Sequence, residues 1–346
     1  MEAFFITYHM IRSTKKILEE SKYQAHPVSD DTTPNFQYIG SMGPHFGRLP
    51  LAYRLTTRNQ GVWVWNDEIE CALMERESDF WGERRMVLVR PVGNESSLVQ
   101  NIARITSLFA SDQKTTIVKA VLPQLAARLE QHGLTEYRKG DGWSRLAKED
   151  DQTYPENIVC LDELAERKGG KWKGLRNDLS RAERNGISLG DIDVERIRIG
   201  EGFEVTRYKS MVDDWLEDYM HRHPSAVRSR VRPYYDALPE AVRKSPVPDK
   251  IQGLRFMHGE KLIGGSFSGL IDREAEVYIV VSESSKKSLG TIILMKTLLF
   301  LRGKGATFVN ISGSETDGLD FYKRKFNPCK RLNTKHIIRY ANTVAR

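Results

Sequence analysis

Cysteine is nearly missing from this chain: Cys71, Cys160 and Cys329 are the three thiols in 346 residues. Spaced so far apart they build neither a disulfide framework nor a zinc site, which needs closely spaced pairs of ligands. They fit a reducing, cytoplasmic setting. Long apolar runs are missing as well. No stretch approaches the ~18 apolar residues of a spanning helix, and the opening residues, Met1 to Arg12, show no basic leader followed by an apolar core of signal length. The expectation is a protein neither exported by that route nor integral to a membrane, with peripheral membrane contact left open. Metal ligands are equally sparse: His221 and His223 flank Arg222 without a second ligand pair, so no metal is expected. Gly40-x-x-Gly43-x-x-x-Gly47 lacks the lysine of a phosphate loop and reads as a plain turn. Gly265 to Gly269 is not a nucleophile elbow, because its central residue is Phe267 and the segment reads as strand interior.

What is present is basic and globular. The formal charge is +7 with a pI near 9.1, which favours a polyanionic partner such as RNA, an anionic lipid surface or phosphates. Forty per cent apolar and 29 per cent charged residues belong to a soluble globular protein, and the length calls for two domains. In the first half, Gly61-Val-Trp-Val-Trp65, Ile69 to Met74, Met86 to Arg90 and Thr115 to Val121 read as strands, with helices at Ser97 to Ala110 and Leu125 to Gln131. Trp63 and Trp65 point to one side of their strand, a core position before a ligand platform. A polar stretch, Lys139 to Gly142 and on through Lys148 to Pro155, has linker composition. It places domains at 1–155 and 156–346, and the similar order of elements in the two suggests diverged copies of one fold.

The second half opens with a helix, Lys171 to Asn185, stopped by Gly186. At 100° per residue Trp172, Leu175, Leu179 and Ala182 share one face; Lys173, Arg176, Ser180 and Arg184 share another with Arg181 beside them. Such a docked helix with a cationic stripe either faces water or meets phosphates, since guanidinium forks pair with phosphate oxygens. Ile187 to Ile199 reads as strand and Phe203 to His221 as helix, with short helices in the Arg- and Pro-rich 221–249. Strands follow at Ile251 to Met257 and Leu262 to Ile271. The last seventy residues then run as a strand Glu274 to Ser282, a loop Glu283 to Gly290, a helix Thr291 to Arg302, a strand Thr307 to Ile311, and the motif Asp317-Gly-Leu-Asp-Phe-Tyr-Lys-Arg-Lys-Phe-Asn-Pro328.

This order of elements, ended by Lys323-x-x-Phe326-x-Pro328, resembles the soluble catalytic module of phosphatidylglycerol lysyltransferases, and more distantly the Fem-type aminoacyltransferases. Leu175-Arg-Asn-Asp-Leu-Ser-Arg-Ala-Glu-Arg-Asn-Gly-Ile187 is similar to a Fem-type helix, and Gly169, Gly170 and Lys171 extend the likeness to the lysyltransferases. The resemblance covers about 160 to 340 and only weakly the first 155 residues. It implies an α/β fold of two tandem N-acyltransferase (GNAT)-like domains with mixed sheets. It implies transfer of an amino acid from aminoacyl-tRNA to an amine or hydroxyl of a lipid headgroup, peptide or small molecule, with no cofactor beyond that co-substrate. The better-known lysyltransferases carry a membrane-embedded half that these residues do not contain, which widens the expected acceptors to peptides, cell-wall precursors and small natural products.

By the same resemblance Lys323 stabilises the oxyanion of the tetrahedral intermediate, as a fixed cation does. Asp317, at the acidic position of the motif, and Glu315 bind an α-ammonium or accept the amine proton; 317 and 323 do not share a helical face, so Asp317 is expected to act from the preceding loop. Lys171, Lys173, Arg176, Arg181, Arg184, Lys286, Lys287, Asn310 and Lys325 are the expected tRNA or substrate contacts, Asn310 ending the strand before the motif, where it is expected to order the loop rather than react. The loop 282–291 keeps only Gly290 of the glycine-rich turn that holds a pyrophosphate in coenzyme A-dependent relatives. Two other readings stay open: an acyl-CoA-dependent N-acyltransferase on the same fold, and a non-catalytic tRNA- or anionic-lipid-binding protein using the basic helix.

Overall fold

Short strands rich in β-branched and aromatic residues recur in both halves of the chain and build two separate sheets. The structure, a computed structural model, describes residues 14–28, 50–57, 61–77, 84–136, 154–200, 204–222, 228–245, 247–283, 288–314 and 317–341. One compact unit holds the described residues up to 136 together with 333–341, and the other holds 154–332.

The first unit contains β1 (Gln24–Pro27), α1 (Pro50–Thr57), β2 (Val62–Trp65), β3 (Ile69–Glu77), β4 (Arg84–Gly93), α2 (Glu95–Ser111), β5 (Thr116–Val121), α3 (Pro123–Glu130) and β6 (Thr135–Glu136). Asn66 makes the β2–β3 turn by accepting the backbone N–H groups of Glu68 and Ile69 on its Oδ1, at 2.8 and 3.0 Å. On α2 the residues Leu98, Ile102, Ile105 and Phe109 recur at helical spacing and are buried against the sheet. Trp63 is core, and Trp65 stacks on His26 at 5.2 Å.

The second unit runs β7 (Glu156–Cys160), α4 (Leu161–Glu166), α5 (Lys173–Arg184), β8 (Ile192–Ile197), α6 (Val205–Arg222), α7 (Arg228–Asp236), α8 (Leu238–Arg243), β9 (Ile251–His258), β10 (Lys261–Ile271), β11 (Glu274–Ser282), α9 (Leu289–Gly303), β12 (Phe308–Asn310), α10 (Asp317–Arg324) and β13 (Lys330–Leu332). The strand expected over 187–199 is shorter, because Ser188 and Asp191 close a turn, with the Ser188 N–H on Asp191 Oδ2 at 2.9 Å. Gly186 ends α5 at φ 78°, a left-handed position that glycine adopts without penalty. Gly264 and Gly265 lie on opposite faces of β10: a Cβ on the first would meet Val281 O at 2.7 Å and the Ile293 side chain of α9, and one on the second would meet Met211 Cε of α6 at 2.7 Å. The pair lets helices press on both faces of the sheet.

The sheets share one topology. The first is ordered β1-β2-β3-β4-β5-β14-β6 and the second, read in the same sense, β8-β9-β10-β11-β12-β7-β13, where β14 is Lys335–Arg339. In each, the fourth and fifth strands are parallel. The sixth place of the first sheet is taken by the last strand of the chain, and the sixth place of the second by β7. This departs from an unbroken domain over 156–346. Ile337 and Ile338 of β14 are buried, Ile337 within the core of the first unit, and β14 completes the ladders of both β5 and β6. The polar stretch read as a linker lies outside the described residues as far as 153.

Candidate active site

The site is built where two parallel strands part. β11 spans nine residues, yet β12 pairs with its first three alone: Glu274 with Phe308, Ala275 with Val309 and Glu276 with Asn310. Beyond Asn310 the chain stays with β7 instead, through Ile311 N–H to Asn157 O at 2.9 Å and Tyr154 N–H to Ser314 O at 3.0 Å. Asn310 governs this parting. Its Nδ2 donates to the buried Glu156 carboxylate at 2.9 Å, and its Oδ1 accepts the Ser312 N–H at 2.8 Å. Ser312 takes φ 65° and its hydroxyl donates to Val277 O of β11 at 3.4 Å, so a side chain replaces the backbone ladder just before Gly313.

Lys323 of α10 donates its ammonium to that Gly313 carbonyl. Asp317 is the first residue of α10, not part of a preceding loop as expected, and its carboxylate accepts the Tyr154 hydroxyl. A carboxylate at a helix N-terminus is favoured by the helix dipole, which explains the earlier start. Glu315 lies outside the described residues. Behind the helix Phe326 is fully buried, with Tyr322 packed on its edge at 5.7 Å. Burial pushes the Tyr322 phenol up against the opposing pull of the Thr291 hydroxyl, so Tyr322 stays protonated and is no base. Asp320, 4 % exposed, pairs with Arg324 at 3.2 Å and with Arg331 of β13. These contacts fix the roll of α10, and with it the direction of Lys323.

The expected cationic contacts divide into two groups. Lys325 is taken by Asp178 of α5 at 2.6 Å, and Arg181 stands 3.8 Å from the same carboxylate. Lys171 pairs with Glu163 at 2.6 Å and lies over the Trp172 ring. Arg176 donates to the carbonyls of Arg167 and Gly169, at 2.8 and 2.9 Å, and so closes the end of α4. Its first task is structural. Lys173 and Arg184 are exposed on α5. Lys286 and Lys287 lie outside the described residues. Arg176→Ala should therefore lower stability by about 1 kcal/mol or more in urea unfolding, while Lys173→Ala and Arg184→Ala stay within about 0.5 kcal/mol. Equal effects at all three would contradict this division.

Tyr154, Glu156, Asp178 and Asp320 were not singled out from the sequence. Tyr154 sits in a stretch of linker composition, Glu156 and Asp178 are single acids whose partners Asn310 and Lys325 are distant in the chain, and Asp320 pairs locally with Arg324 and Arg331. Burial holds the fully enclosed Cys71 thiol protonated and pushes the exposed Cys329 thiol in the same direction. Among the described residues no group of three or more His, Cys, Asp or Glu side chains could hold a metal, and no helix is long and apolar enough to cross a membrane.

Two mixed sheets of one topology, each with a parallel pair at its centre, make a tandem GNAT-like α/β fold. Within that class the chain belongs to the family Phosphatidylglycerol lysyltransferase, C-terminal, whose match spans residues 42–242. It is an acyltransferase enzyme of the aminoacyltransferase kind. The match begins well inside the first half, which the resemblance read from the sequence had touched weakly, takes in the basic helix and ends before Lys323.

Among solved structures the chain is similar to L-PGS from Bacillus licheniformis, with a TM-score of 0.60 and 13% identity over 88% of this chain and 90% of that one. It is similar to the C-terminal domain of a putative lysylphosphatidylglycerol synthetase from Agrobacterium fabrum, with a TM-score of 0.56 and 13% identity over 83% and 86%. FemX gives a TM-score of 0.59 and 10% identity over 90% and 97%. At such identities the likeness is one of fold. No curated protein matches by sequence.

Proposed function

We propose that the protein moves an aminoacyl group from charged tRNA to an amine or hydroxyl of an acceptor, a small molecule, peptide or lipid headgroup, with aminoacyl-tRNA as co-substrate and no cofactor. A donor of this kind implies work in the cytoplasm. The observation that carries the reading is the Lys323 ammonium held on the Gly313 carbonyl beside the parted strands. An ester carbonyl seated there meets a preorganised cation. The acceptor lone pair attacks the carbonyl carbon, and Lys323 stabilises the oxyanion that forms. Collapse breaks the bond to the ribose oxygen. The acceptor gives its proton to Asp317, held by the Tyr154 hydroxyl, and the departing ribose hydroxyl takes one back. The ester is already activated, so the remaining need is positioning.

The turn before α9 supports a nucleic-acid donor over coenzyme A. Ser288 occupies a left-handed position at φ 73°, and the Thr291 and Ile292 N–H groups are bonded to its carbonyl at 3.1 and 3.3 Å. Gly290 is the single glycine between 282 and 291, so the loop lacks the glycine-rich backbone cradle that a pyrophosphate needs. Incubating the protein with pooled labelled aminoacyl-tRNAs and a lysate of its host should yield an acid-stable aminoacylated product whose formation RNase abolishes. Label passing from acetyl-CoA or another acyl-CoA to an amine, indifferent to RNase, would overturn the donor assignment.

Binding of tRNA should weaken steeply with salt as counterions return to the phosphates. Lys173→Glu with Arg184→Glu should weaken it further and reduce the salt slope by about one for each phosphate that the pair no longer neutralises. An unchanged slope would show that α5 merely faces water.

A further inference from the structure

Phe321 is 60 % exposed in the middle of α10, while Tyr322 beside it and Phe326, just past the end of the helix, pack against each other. Two cations lie against its ring: the Arg324 guanidinium carbon 5.9 Å and the Lys325 ammonium 5.4 Å from the ring centre. Neither is loose. Arg324 is tied to Asp320 at 3.2 Å, and Lys325 to Asp178 at 2.6 Å. Through Asp178 the patch continues to Arg181, 3.8 Å away, and Gly174 of α5 sits against the Lys325 stem. A ring left more than half exposed with fixed cations over it is a combination that can hold an unpaired nucleotide, the base on the ring and the phosphates on the cations.

Phe321 and Lys323 stand two residues apart, about 200° around the helix, so the ring faces away from the gap by roughly a helix diameter, ~10 Å. An unpaired strand covers that distance in a few nucleotides. Resting on the tRNA-donor reading above, we infer that Phe321 is a stacking platform for an unpaired nucleotide shortly before the charged end of the tRNA, with Arg324, Lys325 and Arg181 meeting its phosphates. The platform registers the 3′ end so that the ester, a few nucleotides on, arrives at Lys323.

The test uses the full chain and two RNA hairpins that mimic an acceptor stem, one with a single-stranded 3′ overhang carrying 2-aminopurine and one blunt. The wild type should prefer the overhang and quench or shift the 2-aminopurine emission. Phe321→Ala should weaken overhang binding by about ten- to 100-fold, the size of one stacked base, bringing it close to blunt binding, and Phe321→Trp should restore the preference. If Phe321→Ala keeps the preference, or if the wild type binds both hairpins equally, stacking is refuted while salt-sensitive binding leaves the donor reading intact. If no RNA binds and label moves from an acyl-CoA, the donor reading fails and takes this inference with it.

Discussion

Lys323→Ala is expected to slow aminoacyl transfer by about two to three powers of ten, the loss that follows removal of one preorganised oxyanion donor. The effect should fall on kcat, with tRNA affinity changed little, because the ammonium sits on the Gly313 carbonyl and not among the exposed cations of α5. Single-turnover rates with a charged tRNA separate the two quantities. Lys325→Ala supplies the contrast. Its ammonium is engaged by the buried Asp178, so its loss should appear first as lower stability. Near-normal turnover in Lys323→Ala would remove the proposed role, and an equal kinetic loss at Lys325 would transfer it to that residue.

Phe326→Ala should destabilise the second unit by about 3–5 kcal/mol, the cost of emptying a fully buried aromatic site. Phe326 packs in the same core as Trp172, Leu175 and the apolar residues of α9, so the cavity would loosen the underside of α10. Activity should fall with stability. The two units have separate cores, and denaturant unfolding should show one transition moved and the other in place. Phe321→Ala, at the exposed face of the same helix, should shift neither by more than about 0.5 kcal/mol. A common shift of both transitions would mean that the units unfold as one.

Much of the fold was legible in the chain. Glu274–Ser282 forms the strand read from its sequence, α5 ends where Gly186 stops it, and Gly264 to Gly269 is strand interior. These are local matters of apolar period, turn residues and backbone permission, which a sequence carries within a window of a few turns. The site was legible in part. Lys323 and Asp317 stand out through the likeness of their motif to the lysyltransferases, and Asn310 through the likeness of the strand end before it; in the structure Lys323 meets Gly313, Asp317 meets Tyr154 and Asn310 meets Glu156.

By itself the sequence determined the two-copy α/β pattern, the basic balance of the protein and the motif that carries Lys323. Only the tertiary structure decided which cations are already engaged. Arg176 closes α4 and Lys325 bridges to Asp178, 147 positions away, while Lys173 and Arg184 are exposed on α5. It also decided that the last strand belongs to the first sheet and that β7 takes the matching place in the second. The physical reason is the same in both cases. Strand pairing and ion pairing join groups far apart along the chain, and their free energy depends on burial and distance in space, quantities that residue order within a segment does not contain.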